Sequence, residues 1–144
     1  MNNREPIVIK ETFDCSVEEL WSAITVYDEL RQWFFEEMPS FEARAGYLTE
    51  FVIRNEDRVF SHEITVLEVI PYQLMVQQWE FTEYSGTGHV IYKVDKDGDR
   101  STLQLTSKDI VPFPSDIPEF ERESGVGGWN YFIKERLKGY IEGR

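Results

Sequence analysis

Cysteine is almost missing from this sequence: Cys15 is the only one. No disulfide can form within the chain, and a reducing cytoplasm is the expected setting. Histidine is nearly as scarce, with His62 and His89 alone. No His/Cys spacing suits a zinc site, so neither a metal nor another cofactor is expected. Basic residues are few: 15 Lys+Arg stand against 27 Asp+Glu, a formal net charge of −12. That balance argues against nucleic acid or an anionic membrane as partner, because phosphate binding needs Lys and Arg to displace counterions. No apolar run approaches the ~18 residues of a membrane-spanning helix. The stretch from Met1 to Cys15 lacks a long apolar core behind a basic start, so it is not expected to be a signal peptide. Repeats, low-complexity tracts and Pro/Gly/Ser-rich linkers are absent, and residues 1–144 are expected to form one domain.

Motifs that carry chemistry are equally thin. Gly-x-Ser-x-Gly does not occur, and Cys15 has no histidine near it in sequence. Asp95-Lys96-Asp97-Gly98-Asp99 looks briefly like a calcium loop, which needs Gly at its sixth position and Glu at its twelfth. Counted from Asp95, those positions hold Arg100 and Thr106, so a hairpin turn explains the segment. Gly125, Gly127 and Gly128 are followed by Trp129-Asn130 and not by a phosphate-loop lysine. Close packing of a helix on a sheet accounts for them better than anion binding.

What the sequence has is aromatic residues and alternation. Its 4 Trp, 7 Tyr and 10 Phe make 15% of the chain. Residues 7–13 read as a strand. Ser16 with Glu19 forms a capping box, and Val17, Leu20, Trp21 and Ile24 follow at helical spacing, so 16–26 is an expected helix. A second short helix is expected from about Asp28, with Leu30, Trp33 and Phe34 on one face. Alternating segments then follow at 49–54, 58–70, 73–83, 89–94 and 101–107, with turns expected at 85–88 and 96–99. Pro112, Pro114 and Pro118 mark 110–118 as a loop. Val126, Trp129, Phe132, Ile133, Leu137, Tyr140 and Ile141 return to helical spacing, which predicts a helix from after Ser124 to Gly143. One strand, two short helices, about six antiparallel strands and a long helix give an α+β fold. Its antiparallel sheet needs its apolar face covered, and the last helix is the only element long enough to cross it.

This order and several segments resemble the START-like, helix-grip superfamily, also called SRPBCC, and within it the chaperone-ATPase-activator homologue-like subfamily. Val17-Glu18-Glu19-Leu20-Trp21-Ser22-Ala23-Ile24-Thr25 is similar to the family's first-helix segment, and Leu30-Arg31-Gln32-Trp33-Phe34 to its second. Val66-Leu67-Glu68-Val69-Ile70-Pro71 and Gln78-Trp79-Glu80 resemble the central hairpin. Gly128-Trp129 and Leu137-Lys138-Gly139-Tyr140-Ile141-Glu142 resemble the closing helix. The likeness spans nearly the whole chain. It implies a curved antiparallel sheet wrapped around a long C-terminal helix, with two short helices after the first strand. It also implies a pocket between sheet and helix. The superfamily includes ligand carriers, cyclases, lipid-transfer proteins and co-chaperone domains tied to stress response, so fold alone does not choose among them. One departure stands out: Thr106-Ser107-Lys108-Asp109 occupies a place where many relatives carry a His and a Gly, and no role of that His transfers here.

The candidate site residues are Trp33, Phe34, Phe51, Phe60, Trp79, Tyr92, Trp129 and Phe132, with His62 and Gln77 as polar points. The rings serve either as pocket lining or as solid core, and periodicity does not separate the two. By alternation His62 shares a face with Phe60, Ile64 and Val66, as a ligand contact or a hydrogen-bonded core residue. His89, beside a glycine turn, is expected at the surface. Three functions follow in order. The first is a non-enzymatic domain that holds a hydrophobic or aromatic small molecule. The second is a protein-interaction module of the chaperone-activator kind, using the acidic first third (Glu18, Glu19, Asp28, Glu29, Glu36, Glu37, Glu42). The third is a cyclase- or dehydratase-like enzyme with His62 and Tyr92 as an acid–base pair. A homodimer through exposed aromatics is a further possibility of the pattern.

Overall fold

Strand side chains alternate between faces, so Ile7, Ile9 and Phe13 turn one way and are buried in strand β1 (Ile7–Phe13). The structure is a computed structural model that describes residues 5–143; Met1–Arg4, where the absence of a signal peptide is expected, lie outside the described residues. Ser16 caps α1 (Val17–Thr25) with the reciprocal Glu19 bond expected of a capping box, both contacts at 3.0 Å. Helix α2 (Tyr27–Trp33) follows after Val26. Five strands come next: β2 (Leu48–Asn55), β3 (Arg58–Ile70), β4 (Leu74–Phe81), β5 (Tyr84–Asp97) and β6 (Arg100–Val111). They form one antiparallel sheet in the order β1-β6-β5-β4-β3-β2.

The sheet has one strand fewer after the helices than the pattern suggests, and two of the boundaries that differ bear on the site. Residues 85–88 are not a turn but part of β5, and the β4–β5 turn is Thr82-Glu83. Gly86 and Gly88 serve a close approach instead. A Cβ on Gly86 would meet the Phe113 side chain at 2.5 Å, and one on Gly88 would meet it at 3.3 Å. The ladder shifts register between Thr87 and Gly88, the local distortion that glycine in a strand often marks. Strand β6 also runs on to Val111, so the proline loop starts later than expected and contains a short 3₁₀ turn, Pro118–Phe120.

The last helix, α3, is α-helical over Arg122–Asn130, π-helical over Tyr131–Leu137 and α-helical again over Lys138–Glu142. Trp129, Ile133, Leu137 and Ile141 are all buried, four residues apart. In a pure α-helix each such step overshoots a full turn by about 40°, which would carry the stripe off the sheet. The wider π turn slows that rotation and keeps all four on one face. Polar contacts fix the helix across the sheet. Lys134 and Lys138 both pair with Glu11 on β1, at 2.8 and 2.6 Å. Arg136 donates to the carbonyl of Gln32 at 3.0 Å, and Tyr140 to Glu29 at 2.9 Å. No helix among the described residues is long and apolar enough to cross a membrane.

Candidate functional site

The site grows from the sheet register. Phe51 on β2, His62 on β3 and Phe81 on β4 are direct cross-strand partners and form one aromatic row. Ile53 faces Phe60 in the next row, and Ile64 faces Trp79 in the row on the other side. Helix α3 passes over this end of the sheet with Trp129 and Phe132 facing down. A cavity of about 370 Å³ remains between them. Ile53, Phe60, His62, Trp79 and Phe81 line its sheet side. Gly125, Gly128, Trp129 and Phe132 line its helix side, and Phe35, just past α2, closes a third side. The buried Phe60, His62 and Trp129 form the floor, while Asn55 and Gly128 are exposed and mark the mouth. A Cβ on Gly128 would meet nothing within 4 Å, so the helix backbone leaves that side open. Trp79, Phe81, Phe120 and Trp129 also border an adjoining space of about 130 Å³ that reaches Val90 and Phe113.

A strap made of residues 112–121 closes the far end. Phe113 sits on Gly86 and Gly88, and Phe120 stacks on Phe113 with centroids 4.9 Å apart. Phe120 also meets Phe60, Phe81 and Tyr84 at 5.2–5.6 Å. Glu119 latches the strap to the β2–β3 hairpin, accepting from Arg58 Nε at 2.8 Å and from Asn55 Nδ2 at 2.5 Å. The Arg58 hydrogen bond holds the Glu119 carboxyl below the usual carboxylate range, against a smaller effect of burial, and Asn55 adds to the lowering.

His62 is the polar centre. Its Nδ1 lies 3.0 Å from the Phe60 carbonyl, which can only accept, so Nδ1 carries the proton and Nε2 is left with its lone pair. Nε2 has no hydrogen-bond partner among the described residues. No sealed side-chain nitrogen or oxygen among them lacks a partner, so Nε2 is reached from the cavity that His62 lines. Rings surround the imidazole: Phe51 stacks on it at 4.7 Å, and Phe81 and Trp79 stand edge-on at 4.7 and 5.7 Å. Burial pulls its pKa down to about 4, outweighing the opposite pull of the Phe60 carbonyl, so the ring is neutral at pH 7.

The expected site residues divide by position along the sheet. Phe60, His62, Trp79, Trp129 and Phe132 line the cavity. Phe51 lies behind His62. Phe34 backs the lining rings, 4.9 Å from Phe132 and stacked on Trp129 at 6.2 Å. Trp33 is fully buried with its indole N–H on the Ala23 carbonyl at 2.8 Å. Gln77 accepts the Trp79 indole N–H at 3.0 Å and is buried beneath it. Tyr92 is sealed behind Trp129, centroids 6.3 Å apart, and burial pushes its phenol up. It does not reach the cavity, so the arrangement offers no acid–base pair of His62 with Tyr92. His89 is half-buried rather than exposed, and burial followed by the Lys108 charge lowers it.

The lining also includes residues outside the expected set. Ile53 and Phe81 share the parity of Phe51 and Trp79, so alternation was the available signal for both. Phe35 follows Trp33-Phe34 directly. Glu119 and Phe120 sit in the proline loop, where no periodicity points to them. Away from the cavity, Glu18, Glu19, Asp28, Glu36, Glu37 and Glu42 are exposed, which makes the first third an acidic surface.

The sequence pattern of the activator of Hsp90 ATPase homolog 1-like protein family matches residues 14–142. Among curated proteins none matches the chain. Several solved structures share the fold. DynU16, from the dynemicin biosynthetic locus, superposes with a TM-score of 0.75 at 20% identity over 96% of this chain. The chain spans about half of that protein, 48% of its length. CalU16 from Micromonospora echinospora superposes at 0.68 with 21% identity, over 96% of this chain and 74% of its own. The Aha1 dimer from Colwellia psychrerythraea superposes at 0.71 with 15% identity, over 96% of this chain and 97% of its own.

Proposed function

We infer, starting from the fact that the chain belongs to the activator of Hsp90 ATPase homolog 1-like family of the START-like (SRPBCC) superfamily, that the protein is a non-enzymatic carrier of a hydrophobic or aromatic small molecule. One observation carries this reading: a cavity of about 370 Å³ walled by rings, with a polar mouth and the neutral His62 as the polar group on its floor. Apolar walls with few polar groups suit a small-molecule site, and the volume falls in the range such sites occupy. Phe60, Trp79, Trp129 and Phe132 supply the contact area, and His62 orients a polar atom of the ligand. Phe34, Phe51 and Trp33 hold those rings in place, while Gln77 fixes the Trp79 indole. Tyr92 supports Trp129 from behind. A cytoplasmic setting suits the single, buried Cys15, which a reducing compartment keeps as a thiol. Native mass spectrometry of freshly purified protein tests the reading. The expected result is a hydrophobic molecule bound to the chain and released on denaturation. A bare chain that also fails to take up an added aromatic probe would contradict it.

A second reading rests on the acidic surface of the first third. There the protein would contact a chaperone or another basic partner in a stress response. Charge-steered binding of that kind weakens as salt rises. A pull-down repeated at low and high ionic strength tests it; capture that does not change with salt counts against the acidic face.

A further inference from the structure

We propose that the cavity selects neutral aromatic molecules carrying a hydrogen-bond donor, a phenolic hydroxyl or a ring N–H, and that His62 Nε2 is the atom that accepts it. The proposal rests on the carrier reading above and narrows it. Four observations point the same way. First, the Phe60 carbonyl fixes the imidazole proton on Nδ1, so Nε2 offers only a lone pair and can meet only a donor. Second, two other polar groups of the lining are already engaged. The Trp79 indole N–H is held by Gln77, and Glu119 is held by Arg58 and Asn55. Third, no lysine or arginine among the described residues lines the cavity itself; Lys108 borders only the adjoining space and Arg58 is taken up by Glu119, so a ligand carboxylate beside His62 would find no free cation to pair with. Burying an anion without a partner is strongly unfavourable. Fourth, an apolar ligand that fills the cavity displaces water from Nε2 and brings no donor in exchange, so it leaves the lone pair poorly satisfied. The ligand's flat body lies among Phe35, Phe60, Trp79, Trp129 and Phe132, and its donor points down to the sheet.

Isothermal titration of the whole chain with four matched probes tests this: 2-naphthol, naphthalene, 2-methoxynaphthalene and 2-naphthoate at pH 7. The naphthol is expected to bind roughly five- to tenfold tighter than naphthalene or the methoxy compound, the scale of one net hydrogen bond. The naphthoate is expected to bind weakest. The ¹⁵N resonance of His62 Nε2 should shift with the naphthol and not with the methoxy compound. In His62→Phe the naphthol preference should vanish while naphthalene still binds. If that variant does not fold, the wild-type ranking and the ¹⁵N shift decide alone. Equal affinity for the three neutral probes, or tightest binding of the naphthoate, overturns the donor selection and leaves the carrier reading standing. Failure of every probe to bind overturns both.

Discussion

The imidazole of His62 lies face to face on the ring of Phe51, with centroids 4.7 Å apart and 12° between the planes. The two are cross-strand partners on β3 and β2, so the register of one hairpin sets the polar centre of the cavity. A neutral, buried histidine held this way makes stability depend on pH. Its folded pKa of about 4 is below the ordinary histidine value of about 6.5. The stabilising contribution is therefore fully present above pH 6.5 and is lost as pH falls toward 4, because the unfolded chain takes up a proton that the folded chain refuses. Between pH 7 and pH 5 the loss should be about 2 kcal/mol. Urea denaturation at the two pH values measures it, and His62→Phe should flatten that part of the profile. An unchanged slope in the variant would place the pH dependence elsewhere.

Gly86→Ala should destabilise the fold. The residue has φ +121, and an added Cβ would meet Phe113 at 2.5 Å, with the Phe113 Cα at 2.9 Å. Strain of this kind costs of order 1–3 kcal/mol. Gly98→Ala is the control: its φ is +65, but nothing lies within 4 Å of an added Cβ. Thermal unfolding should drop further for Gly86→Ala than for Gly98→Ala. Equal drops would mean that backbone conformation alone, and not the seat of Phe113, requires glycine at 86.

Glu119→Gln should loosen the strap without unfolding the sheet. The charge-assisted bonds to Arg58 and Asn55 tie the 3₁₀ turn to the β2–β3 hairpin. Amide hydrogen exchange should speed up across residues 117–121 and stay unchanged in the β1–β6 ladder. Exchange that rises equally in both would show the latch to be part of global stability.

The arrangement of elements was legible in the sequence, and the reason is visible in particular residues. Ser16 and Glu19 announced α1, and alternation put Phe60, His62 and Ile64 on the face that α3 covers. Alternation reports which face a side chain takes but not how far along the strand a cavity opens. Gln77 and Tyr92 sit on the same face as Trp79 yet lie where Trp129 packs down on the sheet, so they are core. The strap was illegible for a different reason. Pro112, Pro114 and Pro118 suppress any period, and apart from Phe113 the side-chain partners of Glu119 and Phe120 lie more than thirty residues away in the chain. Gly86 and Gly88 carry a turn signal in the sequence because glycine marks both a reversal and a close approach, and only the position of Phe113 tells the two apart.

The most direct measurement is a ¹H–¹⁵N spectrum of the four tryptophan indoles as 2-naphthol is added. Trp79 and Trp129 line the cavity; Trp21 packs near Tyr72, and Trp33 is locked onto the Ala23 carbonyl. A ligand in the cavity should move the Trp79 and Trp129 signals, saturate at one equivalent and leave Trp21 and Trp33 in place. Movement of Trp21 alone, or no saturable movement of Trp79 and Trp129, would contradict a ligand cavity at this site.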